Sequence, residues 1–230
     1  MINVALDGPV GAGKSTVARE SAKRLGFVYV DTGALYRSCA LYCIRNDVKI
    51  SADNEEKISA LLNGSLDLSF EITDGVQHVY VNGEDVSDKI RTPEISMAAS
   101  DVSALPSVRK FLLGCQRDIA AKNNVIMDGR DIGTVILPNA DLKVFITAKP
   151  EIRAKRRYDE LIAKGVETTF EEVLADVNQR DYNDSHRAEA PLRQAEDAVL
   201  LDTSELDFES SVNSLVELVH KTEKYENKEN

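Results

Sequence analysis

Near the amino end the residues Gly8-Pro9-Val10-Gly11-Ala12-Gly13-Lys14-Ser15, followed by Thr16, fit G-x-x-x-x-G-K-[ST] without a mismatch. No other stretch restricts the possible folds as much. Glycines at these positions let the backbone wrap a phosphate with its N–H groups turned inward, where a Cβ would intrude. Lys14 then carries a mobile point charge to the outer phosphates, and the Ser15 hydroxyl can ligate Mg²⁺. The flanks supply the setting this motif needs. Ile2-Asn3-Val4-Ala5-Leu6-Asp7 is short, apolar and partly β-branched, the pattern of a buried strand. Val17, Ala18, Ala22 and Leu25 recur at helical spacing, closed by Gly26 as a C-cap. Strand, glycine loop and helix together predict a nucleoside-triphosphate site.

The same rhythm continues. Phe27–Val30 reads as a second strand, Val125–Asp128 as a third, Leu142–Ile146 as a fourth and Val199–Leu201 as a fifth, with helices between them. One helix is expected from Ala34 to Arg45, one capped by Ser51 and running to Leu62, and others from Pro93, from Pro106, over Glu151–Lys164, from a Thr169/Glu172 capping box and from Asp207. Strands alternating with helices predict an α/β fold, a doubly wound parallel five-stranded sheet of P-loop NTPase type. The texture changes only at about 63–90. There Leu66, Leu68, Phe70 and Ile72 alternate with polar residues, Asp74-Gly75 turns the chain, Val76–Val81 returns, and Asn82-Gly83 turns it again. This predicts a small inserted antiparallel three-stranded sheet. The rest is read as one domain, with core segments 1–62, 91–149 and 166–220, an arginine-bearing helical segment at about 150–165, and a disordered polar tail at 221–230.

Charge narrows the partners. With 28 Lys and Arg against 39 Asp and Glu the net charge is −11, which repels nucleic-acid polymers and anionic membranes. An anionic substrate must then be met by locally concentrated arginine. No apolar run reaches membrane-spanning length, and the amino end leads straight into a strand, so no signal or transit peptide is expected. Three cysteines, Cys39, Cys43 and Cys115, show no C-x-x-C pairing and fit a reducing cytoplasm, with Cys39 and Cys43 as core residues.

Asp128 ends an apolar strand, where P-loop proteins place the acid that helps hold Mg²⁺, often through water. Arg153, Arg156 and Arg157 stand at i, i+3 and i+4, so one helix face carries three guanidinium groups with little offsetting acid. Beside a phosphate loop this predicts a mobile lid that clamps the transferring group, since each guanidinium can donate a bidentate pair to phosphate oxygens. Arg180, Asp184 and Arg187 share one face if their helix persists; they form either a surface ladder or a ribose and phosphate reader. His78, His186 and His220 are scattered, and covalent catalysis is not indicated.

Beyond the glycine loop, DTGALYR at Asp31–Arg37 and DGRDIGT at Asp128–Thr134 resemble the bacterial cytidylate kinases. RTPEIS at Arg91–Ser96, AASDVSALPSVR at Ala98–Arg109 and RDYNDSHRAEAPL at Arg180–Leu192 extend the resemblance over nearly the whole chain. The resemblance implies transfer of the γ-phosphoryl group of ATP to CMP or dCMP; a monomer is expected. It makes the inserted sheet part of a nucleoside-monophosphate-binding subdomain and the 150–165 segment a lid. Gly8, Pro9, Val10, Gly11, Ala12, Gly13, Lys14, Ser15 and Thr16 would hold ATP, with Ser15 and Asp128 at Mg²⁺. Thr32, Tyr36 and Arg37 would belong to the CMP site. Arg37 and Arg130 would contact its phosphate, Ser100, Arg109, Asp131 and Arg187 would surround cytosine, and Arg180 and Asp184 would hold the sugar. Lys14, Arg130, Arg153 and Arg157 would stabilise the transferring charge. The rivals are a P-loop kinase of another small acceptor, such as UMP, AMP or shikimate, and a nucleotide-dependent switch. No N-K-x-D segment supports the latter.

Overall fold

The computed structural model describes residues 1–73, 76–222 and 225. The expected Asp74-Gly75 turn and most of the 221–230 tail lie outside them. In chain order the elements are β1 Asn3–Asp7, α1 Lys14–Leu25, β2 Val28–Asp31, α2 Thr32–Arg45, α3 Glu55–Ser65, β3 Leu68–Thr73, β4 Val76–Val81, β5 Glu84–Asp85, α4 Pro93–Ser103, α5 Pro106–Lys122, β6 Val125–Gly129, β7 Leu142–Thr147, α6 Pro150–Ala163, α7 Phe170–His186, β8 Val199–Asp202 and α8 Phe208–His220. The large sheet is five-stranded and parallel, in the order β2-β6-β1-β7-β8, and the small sheet is three-stranded and antiparallel, β3-β4-β5. Both architectures are those the sequence predicts.

Two compact units form. One spans residues 2–27 and 126–230, the other residues 28–125 with Met1. In the first, β1 pairs with β7 from Val4↔Leu142 to Asp7↔Phe145, and β7 pairs with β8 from Val144↔Val199 to Thr147↔Asp202. Val4, Ala5 and Leu6 are fully buried, as a strand covered on both faces requires. β8 ends the sheet, and Val199 and Leu200 on it are exposed. α1 packs on α8, where Arg24 bridges Glu20, Glu209 and Asn213. α6 packs on α7 around Ala154, Val173 and Val177.

The second unit gathers β2, α2, α3, the small sheet, α4 and α5 around Leu35, Cys39, Cys43, Ile58, Val79, Val102 and Leu112. Cys39 and Cys43 are core residues, as expected. This unit is wider than the 63–90 segment singled out from the pattern. Two helix starts differ from expectation. α2 begins at Thr32, because the Asp31 carboxylate accepts the Ala34 N–H and draws two more residues into the first turn. Ser51 makes no cap hydrogen bond; a 3₁₀ turn, Ala52–Asn54, intervenes before α3.

Candidate active site

The first unit carries the glycine loop, and its backbone explains the residue choice. At Gly8, φ is 148° and a Cβ would fall 1.9 Å from the Ile146 carbonyl oxygen, so no other residue fits without moving the neighbouring strand. Gly13 caps α1 at φ 84°, and the helix begins with neither a side-chain cap nor an acid in its first turn. Its leading N–H groups therefore remain to meet an anion. Lys14 follows directly. Its Nζ donates to the Pro9 carbonyl at 2.8 Å, and the side chain is buried, with 6% of the residue exposed. Burial holds its pKa well below the usual lysine value, helped by the neighbouring Arg130 charge and opposed by Asp128, Asp184 and Asp7.

Ser15 Oγ donates to Asp128 Oδ2 at 2.6 Å. A hydroxyl and a carboxylate so placed beside a phosphate loop are hard oxygen donors of the kind Mg²⁺ takes, with water and phosphate oxygens completing its shell. Among the described residues no group of three or more His, Cys, Asp or Glu could hold a metal ion.

After β6 the chain turns through Arg130 and Asp131 into a π-helical turn, Ile132–Ile136. Arg130 Nε donates to Asp184 Oδ2 at 2.7 Å. Burial disfavours the Arg130 charge, but Asp184, with Asp128 and Asp7 behind it, raises its pKa above the usual arginine value. Arg187 donates to Asp131 Oδ1 at 3.2 Å and to the Ala190 carbonyl. The surface ladder considered for Arg180, Asp184 and Arg187 does not form. α7 stops at His186, Arg187 takes extended backbone at φ −62° and ψ 144°, and Asp184 turns to Arg130 instead. Arg180 is half-buried and makes no ion pair among the described residues.

The second unit holds the other expected acceptor residues. Arg37 Nη2 donates to Asp31 Oδ2 at 2.8 Å, while its Nε is buried without a hydrogen-bond partner. The Asp31 N–H is in turn held by Gln77 Oε1 from β4. Arg109 lies over the Tyr36 ring, 5.7 Å from its centroid, and donates to the Ser103 carbonyl. Thr32 is buried at the start of α2, and Ser100 is exposed on α4.

A family model described as cytidylate kinase matches residues 4–221. The chain belongs to the cytidylate kinase family. A protein named cytidylate kinase from Caldicellulosiruptor bescii is 48% identical over 225 residues, covering 98% of each chain. One from Carboxydothermus hydrogenoformans is 48% identical over 95% of this chain and 97% of its own, and one from Lactobacillus johnsonii is 46% identical over 97% and 96%.

Within this family member the three arginines of α6 do not share one environment. Arg153 is almost wholly buried. Its Nε donates to the Ala148 carbonyl, its Nη1 to the Val10 carbonyl at 2.9 Å and to Asp181 Oδ1, and its Nη2 to Asp181 Oδ2. Arg156 grips the carbonyl and hydroxyl of Thr203, whose own hydroxyl donates to the Ala12 and Thr147 carbonyls. Arg157 pairs with Glu160 on the surface. The expectation of little offsetting acid is therefore corrected: Asp181 arrives from the next helix and Glu160 from i+3. Arg153 in this conformation braces the glycine loop against α7, and to reach a phosphate it would have to leave four bonds.

That contrast is measurable. Arg153→Ala strands the Asp181 carboxylate and the Val10 carbonyl, so stability should fall by about 3 kcal/mol. Arg157→Ala removes only an exposed pair and should cost at most about 0.5 kcal/mol. Denaturant midpoints of the two variants would check this, and equal midpoints would remove the bracing role.

Sequence reasoning missed Asp7, Asp181, Thr203 and Gln77. For Asp7 a signal was present: an acid ending an otherwise apolar strand directly before the glycine loop. For the others the partner is distant in sequence, and no local pattern announces it.

Proposed function

We propose that this chain transfers the γ-phosphoryl group of ATP to CMP or dCMP, giving ADP and CDP or dCDP. One observation carries the reading: proteins named cytidylate kinase match it at 46–49% identity along almost its full length. The site residues agree in kind. ATP lies on Gly8–Thr16, its phosphates against the loop N–H groups, the α1 N-terminus and Lys14. Mg²⁺, held by Ser15 and by Asp128 through water, would offset charge on the phosphate oxygens.

CMP phosphate is met by Arg37 and Arg130. Arg37 retains a buried, unpartnered Nε for this, and Arg130 is held charged by Asp184. Arg180 donates to the sugar hydroxyls, and Asp184 accepts from them. Tyr36 and Thr32 complete the monophosphate contacts, and Ser100, Arg109, Asp131 and Arg187 take the base. Lys14 and Arg130 stabilise charge on the equatorial oxygens, with Arg157 free to turn inward from its surface pair and Arg153 acting there only if its brace opens. Phosphoryl transfer needs no covalent intermediate and no dedicated base, because positioning and charge stabilisation supply the rate. No helix among the described residues is long and apolar enough to cross a membrane. A cytoplasmic monomer that binds neither membrane nor nucleic-acid polymer completes the proposal.

A coupled assay with ATP against CMP, dCMP, UMP, AMP and shikimate tests it. CMP or dCMP should be turned over with kcat/KM about 10²-fold or more above UMP. Equal turnover of CMP and UMP, or preference for AMP or shikimate, would refute it.

A further inference from the structure

Asp7 is an acid where an acid is expensive. It ends β1, only 5% of it is exposed, and burial pushes its carboxyl up to about 6 despite the two N–H groups that favour ionisation and a nearby Lys14. Its two oxygens serve separate donors: Oδ1 accepts the Ile132 N–H at 2.7 Å, and Oδ2 accepts the Gly133 N–H at 2.8 Å. Those are the first two N–H groups of the π-helical turn, which no side chain of its own N-cap residue satisfies. The turn also comes unusually close. A Cβ on Gly133 would lie 3.1 Å from Lys143 Cδ and 3.4 Å from Asp7 Oδ2. Arg130 and Asp131 are the two residues immediately before this turn, and Gly8 is the residue immediately after Asp7.

We propose that Asp7 is a positioning residue: one carboxylate fixes the Arg130–Asp131 segment in register with the glycine loop, and so sets where the acceptor nucleotide lies relative to the donor phosphates. The inference rests on the assignment of Arg130 and Asp131 to the acceptor. Its physical core is that only a carboxylate offers two acceptors at this spacing. Asparagine in the same place accepts from one N–H and turns its own amide N–H₂ toward the other, so half of the anchor becomes a repulsion. The segment then samples several positions, and the geometry needed for in-line transfer is met less often.

The test is Asp7→Asn in the full chain, with two independent readouts. In steady-state kinetics KM for CMP should rise about tenfold and kcat should fall, while KM for ATP stays within about twofold. A structural defect alone would move both KM values together with the thermal midpoint. In amide hydrogen exchange, Ile132 and Gly133 should lose about tenfold in protection while the β1 amides keep theirs; this needs no substrate. If the parent chain does not phosphorylate CMP, the functional reading fails on that ground, and the exchange result still decides the anchor. Unchanged exchange at Ile132 and Gly133, or unchanged KM for CMP and kcat in a folded variant, would overturn the proposal. Should Asp7→Asn fail to fold, Asp7→Glu carries the same test, since its extra methylene moves both acceptor oxygens out of register with the Ile132 and Gly133 N–H groups; the same split between CMP and ATP is expected, and its absence counts equally against the proposal.

Discussion

Lys14→Ala should lower phosphoryl transfer by about 10³-fold while the chain stays folded. The ammonium occupies a site that strips it of water, with its pKa driven down by burial and by Arg130 and only partly restored by Asp128, Asp184 and Asp7. A polyphosphate arriving beside it adds negative charge to what those carboxylates supply, and the attraction grows as charge develops on the transferring group. Alanine removes that term from the transition state. The fold loses one hydrogen bond, from Nζ to the Pro9 carbonyl, but also sheds a desolvated charge. The two effects oppose each other, so the net change in stability should stay within about 1 kcal/mol. Lys14→Arg is no rescue, because a planar fork cannot occupy the pocket of a compact ammonium. Turnover from the coupled assay, with circular dichroism and the thermal midpoint as fold controls, decides this. A folded Lys14→Ala variant within tenfold of the parent would remove Lys14 from the centre of the mechanism.

What could be read in advance, and what could not, divides along the range of the interactions. The glycine loop, the five strands, the small sheet and the Thr169/Glu172 capping box were legible because each is a local pattern: fixed spacing, a hydrophobic period or a cap three residues away. The helix face of Arg153, Arg156 and Arg157 was also legible, but not what its members do. Whether an arginine is a clamp or a brace depends on acids and carbonyls brought from elsewhere, here Asp181 and Val10 for Arg153 and Thr203 for Arg156. The choice left open for Arg180, Asp184 and Arg187 turned on the end of α7, for a related reason. Nothing in the spacing of Arg180, Asp184 and Arg187 reveals that Asp184 has Arg130 as its partner, or that Arg187 leaves the helix for Asp131. Asp7 is the instructive omission. An acid closing an apolar strand must be paid for by specific hydrogen bonds, and asking where those come from points to the turn after β6.

Asp131 should carry the choice of base, and Asp131→Asn should erase most of it. Cytosine presents an amino donor at C4 and acceptors at N3 and O2; uracil puts a carbonyl where the amino group was. A buried carboxylate accepts from the amino group but faces the uracil carbonyl with lone pairs on both sides, which costs more than a hydrogen bond merely lost. Asp131 is 3% exposed, so water cannot relieve that conflict. The contact from Arg187 is compatible with this role, since each carboxylate oxygen can accept more than one hydrogen bond. Asparagine keeps the shape and still offers Arg187 an acceptor, but its amide can turn a donor toward a carbonyl. CMP should therefore lose about tenfold in kcat/KM, UMP should gain about as much, and their ratio should approach one. Asp131→Ala should lose CMP turnover without helping UMP, because it removes the acceptor and supplies no donor. KM for ATP should change little in both, which separates a base-reading role from general damage to the site. The decisive measurement is the CMP-to-UMP ratio of kcat/KM in the parent and the two variants. A ratio in Asp131→Asn as large as in the parent would mean that another residue reads the amino group.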